Sequence, residues 1–220
     1  MVSCHYLAEG YTINTSGVNK GVWLDGKKLE GADPATFGAF GGAYGKDKNV
    51  VYHEHDRILG SDPATFEVIN STYQKDKNAA YYYGTEIYGA DPVTFEIIND
   101  NYSKDKNAVF RAWSKLYDAD PMTFQIINDN YSKDKQFVFA TGIKIPDADP
   151  KTFSVIQDYY AKDKNAIYHL EIKIPGADPV TFEVLSDHYG KDKKAVYMRE
   201  NKMIGVDPAT FVVPTEDPPM

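Results

Sequence analysis

Polar and apolar positions recur along this chain at a fixed interval of 29 residues. Two segments carry the repetition, Asp-Pro-x-Thr-Phe and Lys-Asp-Lys, and no insertion or deletion interrupts either series. The Asp-Pro aspartates are Asp33, Asp62, Asp91, Asp120, Asp149, Asp178 and Asp207. The Lys-Asp-Lys aspartates are Asp47, Asp76, Asp105, Asp134, Asp163 and Asp192. Because an inserted residue would shift every later unit, this constancy predicts a tandem array whose units contact their neighbours in one geometry.

Apolar residues fill the same positions of every unit and predict its core. In the second unit these positions hold Phe66, Val68, Ile69, Tyr73, Ala80, Tyr81 and Ile87. A unit this small cannot bury them alone, so we expect the equivalent side chains of adjacent units to stack on one another. The recurring aromatic residues then have a structural role that needs no ligand.

The Asp-Pro-x-Thr-Phe segment predicts a short helical turn. The aspartate can accept hydrogen bonds from free backbone N–H groups, and proline presets the φ angle of the first helical position. Gly38, Gly41 and Gly42 of the first unit disfavour a longer helix, since each glycine costs roughly 1 kcal/mol inside one. A strand should therefore follow the turn, with one full helix per unit as the alternative.

The Lys-Asp-Lys-Asn segment predicts a tight β-hairpin. Asp76 can bond the backbone two residues on, and Asn78 tolerates a left-handed conformation. The following residues, such as Ala80 and Tyr81, are typical of a strand. Gln136 and Lys194 replace the asparagine in two units, so we expect strained or different turns there.

These elements predict a mainly β fold, an open solenoid or spiral of 29-residue units, with an α+β repeat of one helix per unit as the alternative. We expect residues 1–31 to form a degenerate N-terminal capping unit, residues 32–211 to form the repeat domain, and residues 212–220 to form a proline-rich C-terminal cap or tail. Pro214 cannot donate to a further strand ladder, which favours an open array over a closed propeller.

Charge and composition narrow the classes of partner. The net charge of −8 and the pI near 5.1 disfavour nucleic acid and anionic membranes and favour a basic protein. Cys4 is the only cysteine, which excludes an intramolecular disulfide. The sequence shows neither a membrane span nor a secretory signal, so we expect a cytoplasmic protein, or an exported one if a leader precedes this sequence.

The repeated motifs resemble those of a bacterial family. Six Asp-Lys-(Asn/Gln/Lys)-x-x-aromatic signatures alternate with Asp-Pro-x-Thr-Phe, as in the DKNYY-repeat proteins, over about residues 18 to 211. The full tyrosine pair occurs at Tyr81 and Tyr82, and the other units replace its second tyrosine. The resemblance implies a bacterial repeat scaffold and transfers no active site and no ligand.

No catalytic motif stands out, and the conspicuous polar residues are the repeated ones. We therefore expect no enzyme, no cofactor and no rows of bound Ca²⁺, since the turns lack a glycine-rich nonapeptide. His53 and His55 form the one unrepeated cluster. On a strand they would share a face and could ligate a metal, but no third ligand can be assigned, so we expect a solvated strand end instead.

The residues that change between units are the candidates for recognition. Aromatic and arginine side chains often anchor partners, and the segments after the core aromatic supply them. The predicted partner surface comprises Tyr82, Tyr83, Arg111, Trp113, His53, His55 and Arg57. Packing of Trp113 or Tyr83 over the next hairpin is the alternative. A second, acidic row comprises Glu67, Glu96, Asp100, Asp129, Asp158, Glu183 and Asp187.

These observations favour a non-catalytic protein-binding scaffold, such as an acidic cytoplasmic immunity protein that neutralises a bacterial toxin. An exported glycan- or cell-wall-binding protein is the main alternative, because tyrosine is abundant in the predicted hairpins. A metal enzyme built on His53 and His55 is a third.

Overall fold

The computed structural model describes residues 4–6 and 10–215, with side chains described from Gly10 onwards. The side chain of Cys4 and the expected tail from residue 216 therefore lie outside the described residues. The chain forms two compact units, residues 1–115 and 116–220, which we call the first and second unit. Each 29-residue module is called a repeat from here on. Both units are built from small antiparallel sheets whose four short strands follow one another in chain order, and none of these sheets closes into a barrel.

The first unit contains three complete sheets and most of a fourth. The first two sheets comprise β1 (Cys4–Tyr6), β2 (Tyr11–Asn14), β3 (Gly21–Leu24), β4 (Lys27–Lys28), β5 (Gly38–Ala39), β6 (Tyr44–Lys46), β7 (Val51–His53) and β8 (Asp56–Ile58). The next strands are β9 (Glu67–Val68), β10 (Tyr73–Lys75), β11 (Ala80–Tyr82), β12 (Thr85–Glu86), β13 (Glu96–Ile97), β14 (Tyr102–Lys104) and β15 (Val109–Arg111). Strand β16 (Ser114–Leu116) runs across the boundary of the unit.

The second unit contains three further sheets of the same kind. They comprise β17 (Gln125–Ile126), β18 (Tyr131–Lys133), β19 (Val138–Ala140), β20 (Ile143–Lys144), β21 (Ser154–Gln157), β22 (Tyr160–Lys162), β23 (Ile167–His169), β24 (Ile172–Lys173), β25 (Glu183–Val184), β26 (Tyr189–Lys191), β27 (Val196–Met198) and β28 (Asn201–Lys202). The sequence prediction of a mainly β repeat is confirmed. The solenoid shape of the whole array and the domain boundaries remain predictions.

Each repeat contains the hairpin predicted from Lys-Asp-Lys. In the second repeat β10 and β11 pair antiparallel, with Lys75 opposite Ala80, and the Asp76 N–H donates to the Ala79 carbonyl over 2.9 Å. The carboxylate of Asp76 accepts from the Asn78 N–H over 2.7 Å, as the sequence predicted. This turn fixes the register of the central strands.

The asparagine of this hairpin has no left-handed conformation, so that expectation was wrong. Neither Asn78 nor its counterpart Gln136 has a positive φ. The Gln136 N–H donates to Asp134 over 2.6 Å, as in the asparagine-containing turns. Because the aspartate and not the asparagine shapes the turn, glutamine and lysine fit this position in the same way.

The Asp-Pro-x-Thr-Phe segment forms a hydrogen-bonded turn but no helix. The Asp62 carbonyl accepts from the N–H groups of Thr65 and Phe66, and its carboxylate accepts from the Ala64 N–H over 3.2 Å, as expected of a cap. Strand β9 follows directly and pairs with β10. Because the first turn of a helix is unfavourable and only further turns offset its cost, no helix forms here. The described residues contain no α-helix, and the predicted helical turn and the α+β alternative were wrong. It follows that no described helix could cross a membrane.

Neighbouring repeats share a core within each unit. One cluster in the first unit combines Tyr44, Val51 and Ile58 of one repeat with Phe66, Ala79 and Tyr81 of the next. In the second unit a cluster combines Tyr131, Val138 and Ile145 with Phe153, Ala166 and Tyr168. The predicted stacking of recurring apolar residues is thus confirmed inside both units.

One predicted core position is exposed. Ile69 and its counterpart Ile98 are 39% and 38% exposed, although both were expected in the core. Glu67 and Val68 form β9, and side chains alternate between the two faces of an extended chain, so Ile69 lies on the exposed face of Glu67 while Val68 packs inwards.

Candidate functional site

The aspartate of each Lys-Asp-Lys segment belongs to the frame of the repeat. Asp76 is buried, and one of its oxygens accepts from the N–H groups of Asn78 and Ala79. The other accepts from the Asp62 N–H over 2.7 Å and from the Tyr81 hydroxyl over 2.8 Å. Four hydrogen bonds satisfy this carboxylate, which therefore ties the hairpin to the Asp-Pro turn without any cation.

The aspartate of the Asp-Pro turn forms an ion pair with a lysine in five of the seven turns. In the second repeat the Lys77 Nζ lies 2.6 Å from the Asp62 carboxylate, and the Thr65 hydroxyl donates to the same group over 2.9 Å. These two donors hold the pKa of Asp62 below its usual value. Across the described part of the chain, no group of three or more His, Cys, Asp or Glu side chains is placed to hold a metal ion.

A second hairpin, which the sequence pattern did not predict, presents the variable residues. After each core aromatic the chain makes a two-residue turn, for example Tyr83–Gly84 between β11 and β12, where Tyr82 lies opposite Thr85. The first residue of every such turn has a positive φ between 47° and 54°. These residues are Asp25, Glu54, Tyr83, Ala112, Thr141, Leu170 and Arg199. We call them, with the residue that follows each, the hairpin-turn row.

Three of the predicted anchors meet in the first unit. The ring of Tyr82 lies 4.9 Å from that of Tyr83 and 5.9 Å from that of Trp113, measured between ring centroids. Tyr82 also contacts the buried Tyr73 at 5.4 Å, which fixes its position. Tyr83 and Trp113 are nevertheless 51% and 56% exposed. This aromatic patch, Tyr82, Tyr83 and Trp113, joins two successive repeats and faces solvent.

Arg111 is held against the frame. It is partly buried, and its guanidinium carbon lies 5.9 Å from the centre of the Tyr102 ring. The Arg111 side chain is therefore less free to reach a partner than the side chain of the neighbouring Trp113.

The two histidines and Arg57 do not form one site. His53 stacks on Tyr44, with ring centroids 4.4 Å apart and an angle of 19° between the rings. His55 lies in the turn between β7 and β8, with its Nε2 3.2 Å from the Leu24 carbonyl oxygen. Arg57 on β8 is exposed and lies opposite Tyr52 on β7. The expectation that His53 and His55 share a strand face was wrong, because the chain turns between them.

The acidic row is exposed along its whole length. Two of its members pair with lysines across the sheet, Glu96 with Lys104 at 3.4 Å and Glu183 with Lys191 at 3.9 Å. Pairs this exposed contribute little to stability, so these carboxylates stay accessible to a partner.

Grooves lie between successive repeats on two sides of each unit. Those beside the Lys-Asp-Lys turns measure about 530 Å³ and about 240 Å³ in the first unit and about 500 Å³ in the second. Their walls are recurring residues, and the Lys46 Nζ bridges one of them by donating to the Pro63 carbonyl over 2.7 Å. These grooves are thus features of the frame.

The grooves beside the hairpin-turn row have variable walls. One of about 440 Å³ lies in the first unit, and one of about 330 Å³ lies in the second, where Tyr159, His169, Asp187 and Glu200 contribute to its wall. Sequence reasoning missed them, because their lining comes from three separate segments of two repeats.

The residue two before each Asp-Pro aspartate has a positive φ. In several repeats an exposed apolar residue stands immediately before it. The strongly exposed examples are Leu59, Tyr88, Tyr117 and Ile204. The core pattern of the sequence does not account for them.

The sequence profile of the DKNYY family matches residues 19–114, 110–172 and 160–216. No curated protein and no solved structure matches the chain. The matched segments together cover most of the 220 residues. The chain belongs to the DKNYY family.

Proposed function

We propose that this protein is a non-catalytic repeat scaffold that binds another protein through its hairpin-turn row. The aromatic patch carries this proposal. It consists of residues that differ from repeat to repeat, whereas the positions that build the frame recur.

The exposure of the patch supports a role in recognition. Trp113 and Tyr83 keep about half of their surface in solvent although each contacts Tyr82. Tryptophan and tyrosine dominate the binding energy of protein interfaces, and rings already held in place lose little entropy on binding. The frame would therefore offer a partner a preorganised anchor.

The absence of catalysis is part of the proposal. The recurring aspartates are taken up by turn, cap and lysine contacts, as in Asp76 and Asp62. Among the unrepeated residues, His53 and His55 are each engaged by the frame and lack a common geometry.

The charge favours a basic partner. The net charge is −8, and the acidic row is exposed. Complementary charge increases the rate of association and excludes acidic competitors. A toxin inhibited in the cytoplasm, with this protein as its immunity protein, fits this chemistry.

An exported glycan-binding protein is the second candidate. A sugar ring stacks on a flat aromatic face, and the exposed rings of Tyr83 and Trp113 offer such faces. The rings of the patch are, however, inclined to one another, by 90° between Tyr82 and Tyr83 and by 59° between Tyr82 and Trp113. A faceted patch of this kind favours an irregular protein surface over a sugar ring.

Affinity capture from cells of the source organism tests the proposal, using wild type, Tyr83→Ala, Trp113→Ala and Tyr88→Ala. Tyr88, which is 84% exposed, is a tyrosine outside the hairpin-turn row and serves as the control. We expect one stoichiometric protein to be retained by wild type and Tyr88→Ala, and to be lost from the other two variants. Capture of no protein, together with retention on a glycan array that depends on Trp113, would instead support the second candidate.

A further inference from the structure

The groove beside the hairpin-turn row of the second unit has a different wall from the corresponding groove of the first unit. It lies between the turn that starts at Leu170 and the turn that starts at Arg199, and it measures about 330 Å³. The loop at Asp187 and His188 contributes the third side. We call this the Leu170–Arg199 groove.

Part of its wall is apolar and accessible. Tyr159 is 38% exposed and Ile172 is 44% exposed, and Leu170 completes this side. His169 contacts the ring of the buried Tyr160 at 4.9 Å, and its side chain is only 11% exposed. Burial lowers the pKa of His169, so the imidazole is neutral at neutral pH and adds no positive charge to the groove.

The remaining wall is acidic. Glu171, Asp187 and Glu200 oppose the single guanidinium of Arg199, which leaves a net charge of −2 when histidine is counted as neutral. The Oε2 of Glu200 lies 3.8 Å from the Nδ1 of His169, too far for a strong hydrogen bond. The Oε1 of Glu200 accepts from the side-chain amide of Asn201 over 3.2 Å, so Oε2 is the oxygen that keeps capacity to accept a hydrogen bond from a ligand.

The corresponding groove of the first unit provides a comparison within the same chain. It has Gly42, Ala43 and His55 where the Leu170–Arg199 groove has Asp187, His188 and Glu200. The backbone geometry recurs, with a positive φ at Glu54 as at Arg199. The acidic and aromatic character thus distinguishes the Leu170–Arg199 groove from the groove of the first unit, although the backbone geometry is the same.

We infer that the Leu170–Arg199 groove takes the side chain of an arginine from a basic protein partner, an inference that rests on the proposed function. The apolar stem of the arginine would lie along Ile172 and Leu170, and the planar guanidinium would contact the Tyr159 ring. Its N–H groups would donate to the carboxylates of Asp187 and Glu200. Arginine suits such a wall better than lysine, because its planar fork pairs with carboxylates and stacks on aromatic rings at once.

The test is a titration of the ¹⁵N-labelled full chain with Nα-acetyl-arginine amide at neutral pH, followed by amide chemical shifts. We expect saturable shifts at Leu170, Glu171, Asp187 and Glu200, and none at Gly42 and His55 of the first unit. The matching lysine derivative should bind several-fold more weakly.

Variants locate the site and control for folding. Asp187→Asn and Glu200→Gln should each weaken binding by about tenfold, because a charge-assisted hydrogen bond is lost. Asp147→Asn removes an exposed carboxylate of the same unit that lies outside both the groove and the acidic row, and it should leave binding unchanged. Well-dispersed spectra of all three variants establish that they are folded.

Four outcomes would overturn the inference: no saturable shifts, equal affinity for lysine, binding unaffected by Asp187→Asn and Glu200→Gln, or shifts spread over the acidic row. If they occur while Trp113-dependent capture persists, the proposed function stands and only the arginine groove is refuted. Loss of Trp113-dependent capture with the titration unchanged would refute the proposed function instead.

Discussion

At the scale of single residues, the buried aspartates explain why the Lys-Asp-Lys segment recurs. In the second unit Asp163 accepts from the N–H groups of Asp149, Asn165 and Ala166 and from the Tyr168 hydroxyl. Burial alone would raise the pKa of Asp163, but these donors outweigh it and lower the pKa. The pKa of Asp192 is lowered in the same way.

These lowered pKa values predict an acid limit to stability. A carboxyl group whose pKa is lower in the folded than in the unfolded state stabilises the fold above its unfolded pKa, here 3.8, and loses that contribution as the pH falls through the folded value. We expect the free energy of unfolding to hold from neutral pH down to about pH 4 and to decline below it. Urea unfolding at a series of pH values measures this.

The Asp163→Asn variant assigns the effect to one side chain. It should cost about 2 kcal/mol at neutral pH, because an amide replaces a carboxylate that accepts four hydrogen bonds. It should also flatten the decline below pH 4. The exposed Asp129→Asn is the control, and an equal loss in both variants would contradict this role.

At the scale of elements, two left-handed positions define each repeat, and only one of them is visible in the sequence. The residue two before each Asp-Pro aspartate has a positive φ and is glycine in five repeats and aspartate in two. The first residue of the hairpin-turn row also has a positive φ but is Glu54, Ala112 or Leu170 in different repeats. Glycine is the second residue of this turn in three repeats, at Gly26, Gly84 and Gly142, but the other repeats have neither glycine nor asparagine there, which is why the sequence pattern did not reveal the second hairpin.

Gly89→Ala tests the first of these positions. Gly89 has a φ of +79°, and an added Cβ would meet no atom within 4 Å, so any cost is conformational. We expect a loss of about 1 kcal/mol in the free energy of unfolding. Gly38 has equal space and no positive φ, so Gly38→Ala should be neutral or slightly stabilising. Equal effects of the two substitutions would show that φ is not the cause.

Two other predictions, the helical turn and the burial of Ile69, failed because of strand pairing. The proline and the capping aspartate of Asp62–Phe66 suggested a helical turn. The chain instead makes one hydrogen-bonded turn and then pairs as β9 with β10. Ile69 is spaced from Phe66 and Tyr73 as on one face of a helix. Because the chain is extended at β9, side chains alternate between two faces there, and the helical spacing does not apply. The short-range hydrogen bonds were predictable from residue types, whereas the competition between turn and strand depended on tertiary pairing.

At the scale of the whole molecule, the fixed period separates residues that build the frame from residues that are free to vary. The sequence alone predicted the stacked aromatic core and located Tyr82, Tyr83 and Trp113 as candidates. It did not predict that these three side chains touch, nor that Asp187 and Glu200 line one groove, since both facts depend on how successive repeats pack.

The double variant Tyr83→Thr/Trp113→Gly tests this separation most directly. Thr141–Gly142 already forms the turn of another repeat, so the double variant gives two turns residues that this fold accepts. Its urea unfolding and its capture of the partner should be measured together. We expect a free energy of unfolding within about 1 kcal/mol of wild type and loss of the partner. Retention of the partner, or destabilisation by several kcal/mol, would contradict it.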